Sequence, residues 1–157
     1  MRLGIISDTH GTLPSEVLDV FRDVDHLVHA GDVGDLDILA NLGKIAPITA
    51  VFGNTDGPNI RARLPREARV ELEGLFLTVT HGDQFGRPTP RLLRDAFPDA
   101  DILVFGHTHE AVLELVDRTV TVMNPGSPTR PYGQVAPTVG IMELEPGLPP
   151  RARLVPL

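Results

Sequence analysis

The stretch Asp101-Ile102-Leu103-Val104-Phe105-Gly106-His107-Thr108-His109 decides the reading of this chain. Its apolar run predicts a short buried strand. Two imidazoles leave that strand one residue apart, just past a glycine, and neutral imidazole is the commonest metal ligand among side chains. A lone His-x-His says little. Four further clusters carry the same kind of residue at the ends of apolar runs: Asp8-Thr9-His10, Gly31-Asp32, Gly53-Asn54 and His81-Gly82.

Those runs alternate with helical patterns. Arg2-Leu3-Gly4-Ile5-Ile6-Ser7 predicts a strand, and Pro14 suits the first turn of a helix that continues through Val17, Val20, Phe21 and Val24. His26-Leu27-Val28-His29-Ala30 predicts a second strand. Asp35 is placed to cap a helix with Leu36, Leu39, Ala40 and Gly43 on one face. A third strand covers 47–52. This β-α-β-α-β order argues for a parallel sheet with helical crossovers, in which ligands bind outside the carboxyl ends of the strands. The stretch 58–69 reads as irregular and carries Arg61, Arg63, Arg66 and Arg69. Beyond it come a hairpin across Glu73-Gly74, a helix opened by Thr89-Pro90 and stopped by Pro98, and the focal strand. A second hairpin over Asp117-Arg118, a tight turn at Asn124-Pro125-Gly126-Ser127 and two last strands follow. Two sheets face to face with helices outside accommodate both halves, and 157 residues form one domain, 1–157, with a substantial core.

Composition narrows the chemistry. There is no cysteine, so no disulfide framework and no thiolate ligand. The formal charge of -7 argues against general nucleic-acid binding, which needs a basic face. No apolar run approaches the roughly 18 residues of a membrane helix. The first residues do not read as a signal peptide, so a cytoplasmic location is the expectation. A dinucleotide-binding reading fails because no Gly-x-Gly-x-x-Gly follows the first strand.

Seven side chains remain at strand ends: Asp8, His10, Asp32, Asn54, His81, His107 and His109. They are too many for one tetrahedral ion. They suit two divalent ions about 3.5–4 Å apart, with Asp32 and a hydroxide completing the shells. A nitrogen and oxygen set without thiolate suits Mn, Fe, Zn, Ni or Co. Two such ions activate water and neutralise phosphate charge, which points to metal-assisted hydrolysis of a phosphate ester, with Asp32, Asn54 and His107 as its catalytic residues.

Asp8-Thr9-His10, Gly31-Asp32, Gly53-Asn54-Thr55-Asp56, His81-Gly82, Gly106-His107-Thr108-His109 and Asn124-Pro125-Gly126-Ser127 together resemble the calcineurin-like metallophosphoesterase superfamily, most closely its small YfcE-like phosphodiesterases. Order and spacing agree over nearly the whole chain. The resemblance implies an α/β fold, a four-layer α/β/β/α sandwich of two mixed sheets. It implies that Asp8, His10, Asp32 and His109 hold one ion, and Asp32, Asn54, His81 and His107 the other. It also implies Mn²⁺ as the favoured metal and phosphodiester cleavage by a metal-bridging hydroxide on small or nucleotide-like substrates. A phosphomonoesterase or nucleotide pyrophosphatase on the same fold is the enzymatic alternative. A protein-binding scaffold with a vestigial metal site is the other, disfavoured because every ligand position is filled. Larger members of the superfamily carry a histidine after the metal-binding asparagine; here that position is Thr55. A hydroxyl is a poor general acid near pH 7, so good leaving groups are expected.

Several residues keep two readings. His29 is a buried histidine near the site or a support for a ligand. His26 reads as a surface residue. Asp56 and Asp83 either orient neighbours or stabilise turns. The arginines of 61–69 either draw phosphate toward the site or form a lid, or they belong to a solvated loop. Ser127 and Arg130 are placed to touch substrate phosphate, and Thr55 and Arg130 are the expected substrate contacts. The oligomeric state is left open, a homo-oligomer included.

Overall fold

The computed structural model describes residues 1–133 and 135–157. Five strands build a first sheet: β1 (Arg2–Ile6), β2 (His26–His29), β3 (Ile48–Ala50), β9 (Thr138–Glu143) and β10 (Arg151–Pro156). Their order is β10-β9-β1-β2-β3, with β1, β2 and β3 parallel and β9 antiparallel to both neighbours. The second sheet holds β4 (Glu67–Leu72), β5 (Leu75–Thr80), β6 (Ile102–Val104), β7 (Ala111–Val116) and β8 (Val120–Pro125) in the order β4-β5-β6-β8-β7. Its central pairs, β5 with β6 and β6 with β8, are parallel, and its outer pairs are antiparallel.

Alternation along the strands sorts side chains into layers. Leu3, Ile5 and Val28 meet Leu77, Val79, Ile102, Val104 and Met123 between the sheets. Ile6 and Leu27 face the other way, onto Val17 and Phe21 of α1 (Ser15–Phe21) and Ile38 and Leu42 of α2 (Leu36–Leu42). On the far side Leu103 and Phe105 pack on Leu93 of α4 (Pro90–Ala96). Three apolar layers thus separate four layers of secondary structure, α/β/β/α, as expected.

The caps explain the helix starts. Asp35 accepts from Asp37 N–H at the head of α2. Thr89 accepts from Leu92 N–H at the head of α4, with Pro90 just inside, where its missing N–H is harmless. Three expectations are corrected. The 58–69 stretch is not irregular: Pro58 opens a single-turn helix, α3 (Pro58–Arg61), and β4 already begins at Glu67. Asn124-Pro125 is not part of a turn but the end of β8. The first helix ends at Phe21 and not at Val24. A one-turn 3₁₀ helix, Asp83–Phe85, follows His81-Gly82.

Strands β1, β2 and β3 run parallel within their sheet, and so do β5 and β6 in theirs. Asp8, Asp32, Asn54, His81 and His107 all lie just past the carboxyl ends of these five strands. The strand-end loops remain hydrogen-bonded to one another: Asp8 N–H donates to Gly31 C=O at 3.0 Å, His10 N–H to Asp32 C=O at 2.9 Å, and Gly106 N–H to His81 C=O at 3.1 Å.

Candidate metal centre

All seven expected donors converge. Asp8, His10, Asp32 and His109 present one ligand atom each, and all four atoms lie within 4.8 Å of one another. His109 Nε2 stands 3.3 Å from Asp8 Oδ1 and 3.1 Å from His10 Nε2. The second group joins at Asp32: its Oδ2 lies 3.9 Å from His10 Nε2 and 3.4 Å from His81 Nε2. His81 Nε2 and His107 Nδ1 are each 3.0 Å from Asn54 Oδ1. Asp32 Oδ2 therefore sits between both groups. The floor of Asp8, Asp32 and His81 is buried, and Asn54 at the rim is exposed.

The backbone is bent to achieve this. Asp8, His10, Asp32, His107 and His109 all have φ between 48° and 69°. Among the described residues, the other left-handed non-glycine positions are Glu73, Asp117 and Arg118, all in hairpin turns. Each such residue costs about 1 kcal/mol or more, and strain of this kind persists only where surrounding contacts enforce it. Two glycines make the loop approach possible. A Cβ on Gly53 would collide with Asp32 Oδ1, and one on Gly106 would collide with Ser7 Oγ and lie 2.7 Å from Asp8 Oδ2.

Second partners fix the donors. His81 Nδ1–H donates to Ala30 C=O at 2.8 Å, and His109 Nδ1–H to Arg130 C=O at 2.7 Å. Because a carbonyl only accepts, both rings turn an Nε2 lone pair inward when neutral. Asp8 Oδ2 accepts from Ser7 Oγ–H at 2.6 Å and from His107 N–H at 3.1 Å. Asp32 Oδ1 accepts from Thr55 N–H at 2.9 Å.

What is left unpaired tests the fit to a cation. Asp8 Oδ1 is buried and has no hydrogen-bond partner among the described residues. The inward lone pair of His81 faces the Asn54 oxygen. A buried carboxylate oxygen without a donor, and a buried lone pair aimed at another acceptor, are costly unless positive charge lies beside them. Proton affinities point the same way. Burial opposes ionisation of Asp32, yet hydrogen bonding and charge from His81, with Thr55, hold its carboxyl well below the usual range. The Asp8 carboxylate raises His109 against the effect of burial. Burial works against a proton on His81, but Asp32 and Asp8 outweigh it and raise that pKa. His10 is lowered by burial despite Asp32 and Asp8. Protons compete for a place that suits a divalent cation, and the residues present fit one.

The sequence profile of the calcineurin-like phosphoesterase superfamily domain matches residues 1–147. The chain belongs to this superfamily. Among its relatives is a probable metallophosphoesterase of Methanothermobacter thermautotrophicus, 38% identical over 138 residues, 83% of this chain and 79% of that protein. Phosphodiesterase YfcE of Escherichia coli strain K12 is 32% identical over 91% of this chain and 88% of its own length. Its solved structure superposes with a TM-score of 0.70. Vps29 of Entamoeba histolytica, solved in complex with Zn²⁺, superposes with a TM-score of 0.80 over 99% of each chain; at 20% identity this likeness speaks for the calcineurin-like fold alone.

The remaining expected contacts fall elsewhere. Ser127 does not face the opening. It is buried, donates to Asp8 C=O at 2.8 Å and accepts from Arg130 N–H, clamping the first loop. Arg130 is exposed beside His109, and its charge reaches His10, whose protonation it disfavours. Thr55 is exposed, with its N–H committed to Asp32. Asp56 stabilises loops: its carboxylate accepts from Gly53, Val33 and Gly34 N–H groups, tying the two ligand loops together. Asp83 accepts from Arg66. His26 is half-buried and close to Thr49 Oγ1, not a free surface residue. Three of the 61–69 arginines have partners: Arg61 and Arg66 lie over the Phe52 ring and Arg69 over Phe76.

Two supporting residues gained their roles only from the structure: sequence reading gave Ser7 none and placed Asn124 in a turn. Asn124 Nδ2 donates to Gly106 C=O and to Thr108 Oγ1, setting the turn that carries His107 and His109. Their signal was a polar residue closing an apolar strand, Ile5-Ile6-Ser7 and Val122-Met123-Asn124.

Proposed function

We propose that this protein is a phosphodiesterase that uses two divalent metal ions, with Mn²⁺ the favoured pair. One observation carries the reading: two donor groups share a single oxygen, Asp32 Oδ2, at the open mouth of a buried acidic floor. Asp8, His10, Asp32 and His109 would hold one ion. Asp32, Asn54, His81 and His107 would hold the other. When bound, two such ions neutralise phosphate charge and make water a competent nucleophile near neutral pH.

The chain's own residues set the rest. Thr55 N–H and His81 keep the Asp32 carboxylate ionised. His107, half-buried beside the exposed Asn54, lines the mouth where a phosphate would enter. Arg130 supplies positive charge at the opposite rim, suited to a phosphate oxygen. The position after Asn54 offers no titratable proton donor, since Thr55 ends in a hydroxyl. The leaving oxygen must then depart largely unprotonated, so aryl and nucleotide esters are favoured over simple alkyl phosphates.

The test is a panel of mono-, di- and pyrophosphate substrates with added Mn²⁺, with Asp32→Ala as control. Among diesters, log kcat/KM should fall steeply as the leaving-group pKa rises. A flat dependence with chemistry rate-limiting would remove the missing-acid argument. Faster turnover of monoesters or pyrophosphates would replace the diesterase reading with one of those.

A further inference from the structure

Arg61 contributes no donor to either group, yet it is built onto one of them. It ends α3, five residues past Asp56, and its side chain folds back over the 53–56 turn. Nε–H donates to Asp56 C=O at 2.7 Å, and Nη2–H groups donate to Gly53 C=O at 3.2 Å and Asn54 C=O at 2.9 Å. The guanidinium carbon lies 4.9 Å from the centre of the Phe52 ring. A planar fork with several fixed donors suits three carbonyls; an ammonium on a flexible stem does not.

The turn is thus held from two sides. Arg61 takes its carbonyls from outside, and the Asp56 carboxylate takes the Gly53 N–H from inside while anchoring to Val33 and Gly34. What the turn carries serves chiefly one half of the site, although Thr55 N–H also holds Asp32, which both halves share. Asn54 Oδ1 meets His81 and His107. Asp8, His10 and His109 depend on a separate network through Ser7, Ser127, Thr129 and Arg130 C=O. Loosening the 53–56 turn should release Asn54 and leave that network alone.

We propose that Arg61 is a positioning residue for the Asn54 side of the centre, fixing its metal affinity through the backbone of the 53–56 turn. This rests on the two-ion reading above. Its positive charge is not the active property; the fork is.

Calorimetric titration of the metal-free full chain with Mn²⁺ tests it. His10→Ala and His107→Ala assign the two binding steps. Arg61→Ala should weaken the His107-dependent step by about tenfold, the scale of one or two lost hydrogen bonds, and the His10-dependent step, which meets the turn only through Asp32, by much less. Arg61→Lys should behave like Arg61→Ala. Millimolar guanidinium chloride should restore Arg61→Ala, and sodium chloride should not. In the metal-free protein, amide exchange should quicken across 53–56 in Arg61→Ala and stay unchanged across 8–10. Equal weakening of both steps, no weakening, or full retention by Arg61→Lys would overturn the proposal. A wild-type chain that takes up only one ion would overturn the two-ion reading itself, a different and recognisable failure.

Discussion

At the scale of single residues, the site is held by groups that never reach its mouth. His29 is the clearest. It is wholly buried, its Nδ1 accepts from Gly31 N–H at 3.2 Å, and its Nε2 lies 2.9 Å from Thr9 Oγ1. Because Thr9 spends its hydroxyl proton on Val33 C=O, the ring must donate to Thr9 from Nε2. Both nitrogens are satisfied only in the neutral ring. Burial accordingly pushes the His29 pKa down to about 4, with Asp8 and Asp56 opposing. The unfolded chain takes up this proton near pH 6.5 and the folded chain only near pH 4. Between those values the unfolded state binds more protons, so stability is full above pH 6.5 and declines as the pH falls. The slope from this group is at most about 1.4 kcal/mol per pH unit. Urea midpoints of wild type and His29→Gln between pH 7.5 and 4.5 measure it: the variant's acid decline should be shallower by close to one proton. Parallel curves would mean that His29 does not titrate as its surroundings dictate.

At the scale of elements, short strands and seven-residue helices survive because each is closed by a specific turn. The β7–β8 hairpin turns on Asp117 and Arg118, with φ of 52° and 62°. Both lie in the left-handed region that a two-residue turn of this kind requires and that Gly or Asn adopts more readily than Arg. Asp117 has a reason to stay, since Arg91 and Arg94 pair with it. Arg118 is in no ion pair or side-chain hydrogen bond among the described residues. Arg118→Gly should therefore raise stability by about 1 kcal/mol in urea unfolding while leaving metal binding untouched, the turn being at the end of the sheet away from the donors. A loss of stability would show that the turn is relaxed as it stands. The same conformational logic runs the other way at the ligands. There the left-handed residues are Asp and His, which tolerate it better than most, and substituting glycine would remove the candidate donor along with the strain.

At the scale of the molecule, the centre is where the two sheets are joined beyond their cores. Asp8, Asp32 and Asn54 come from the first sheet, and His81, His107 and His109 from the second. A divalent ion shared between them should act as a clasp on the folded state. A ligand at a hundred times its dissociation constant adds about 2.7 kcal/mol, which for a chain of this length moves the melting midpoint by several degrees. Adding Mn²⁺ or Zn²⁺ to chelator-treated protein should produce that rise, and Asp32→Asn should lose most of it. An unchanged midpoint at saturating metal would mean that the ion binds folded and unfolded chain alike. No helix is long and apolar enough to cross a membrane among the described residues.

Apart from the 58–69 stretch, the order of strands and helices and the ends at which ligand-type residues collect are legible in the chain. Period-two and period-3.6 patterns and cap residues are local signals. The candidate donor set is legible too: a single aspartate, asparagine or histidine closing a strand is ordinary turn or cap chemistry, but seven such residues at strand ends are not. Other features depended on the tertiary structure. Arg61 reads as one of several loop arginines, and only the return of α3 over the 53–56 turn shows which carbonyls it takes. Ser127 lies 119 positions from the Asp8 carbonyl that it binds, and its direction, toward that loop and not toward the opening, follows from where β8 ends against β9, with Thr138 Oγ1 donating to Pro125 C=O. The 58–69 helix and strand start were hidden because one helical turn and an edge strand carry too little periodicity to stand out. Local spacing determined which residues were available for chemistry; the packing of two sheets decided which of them touch, and through which atoms.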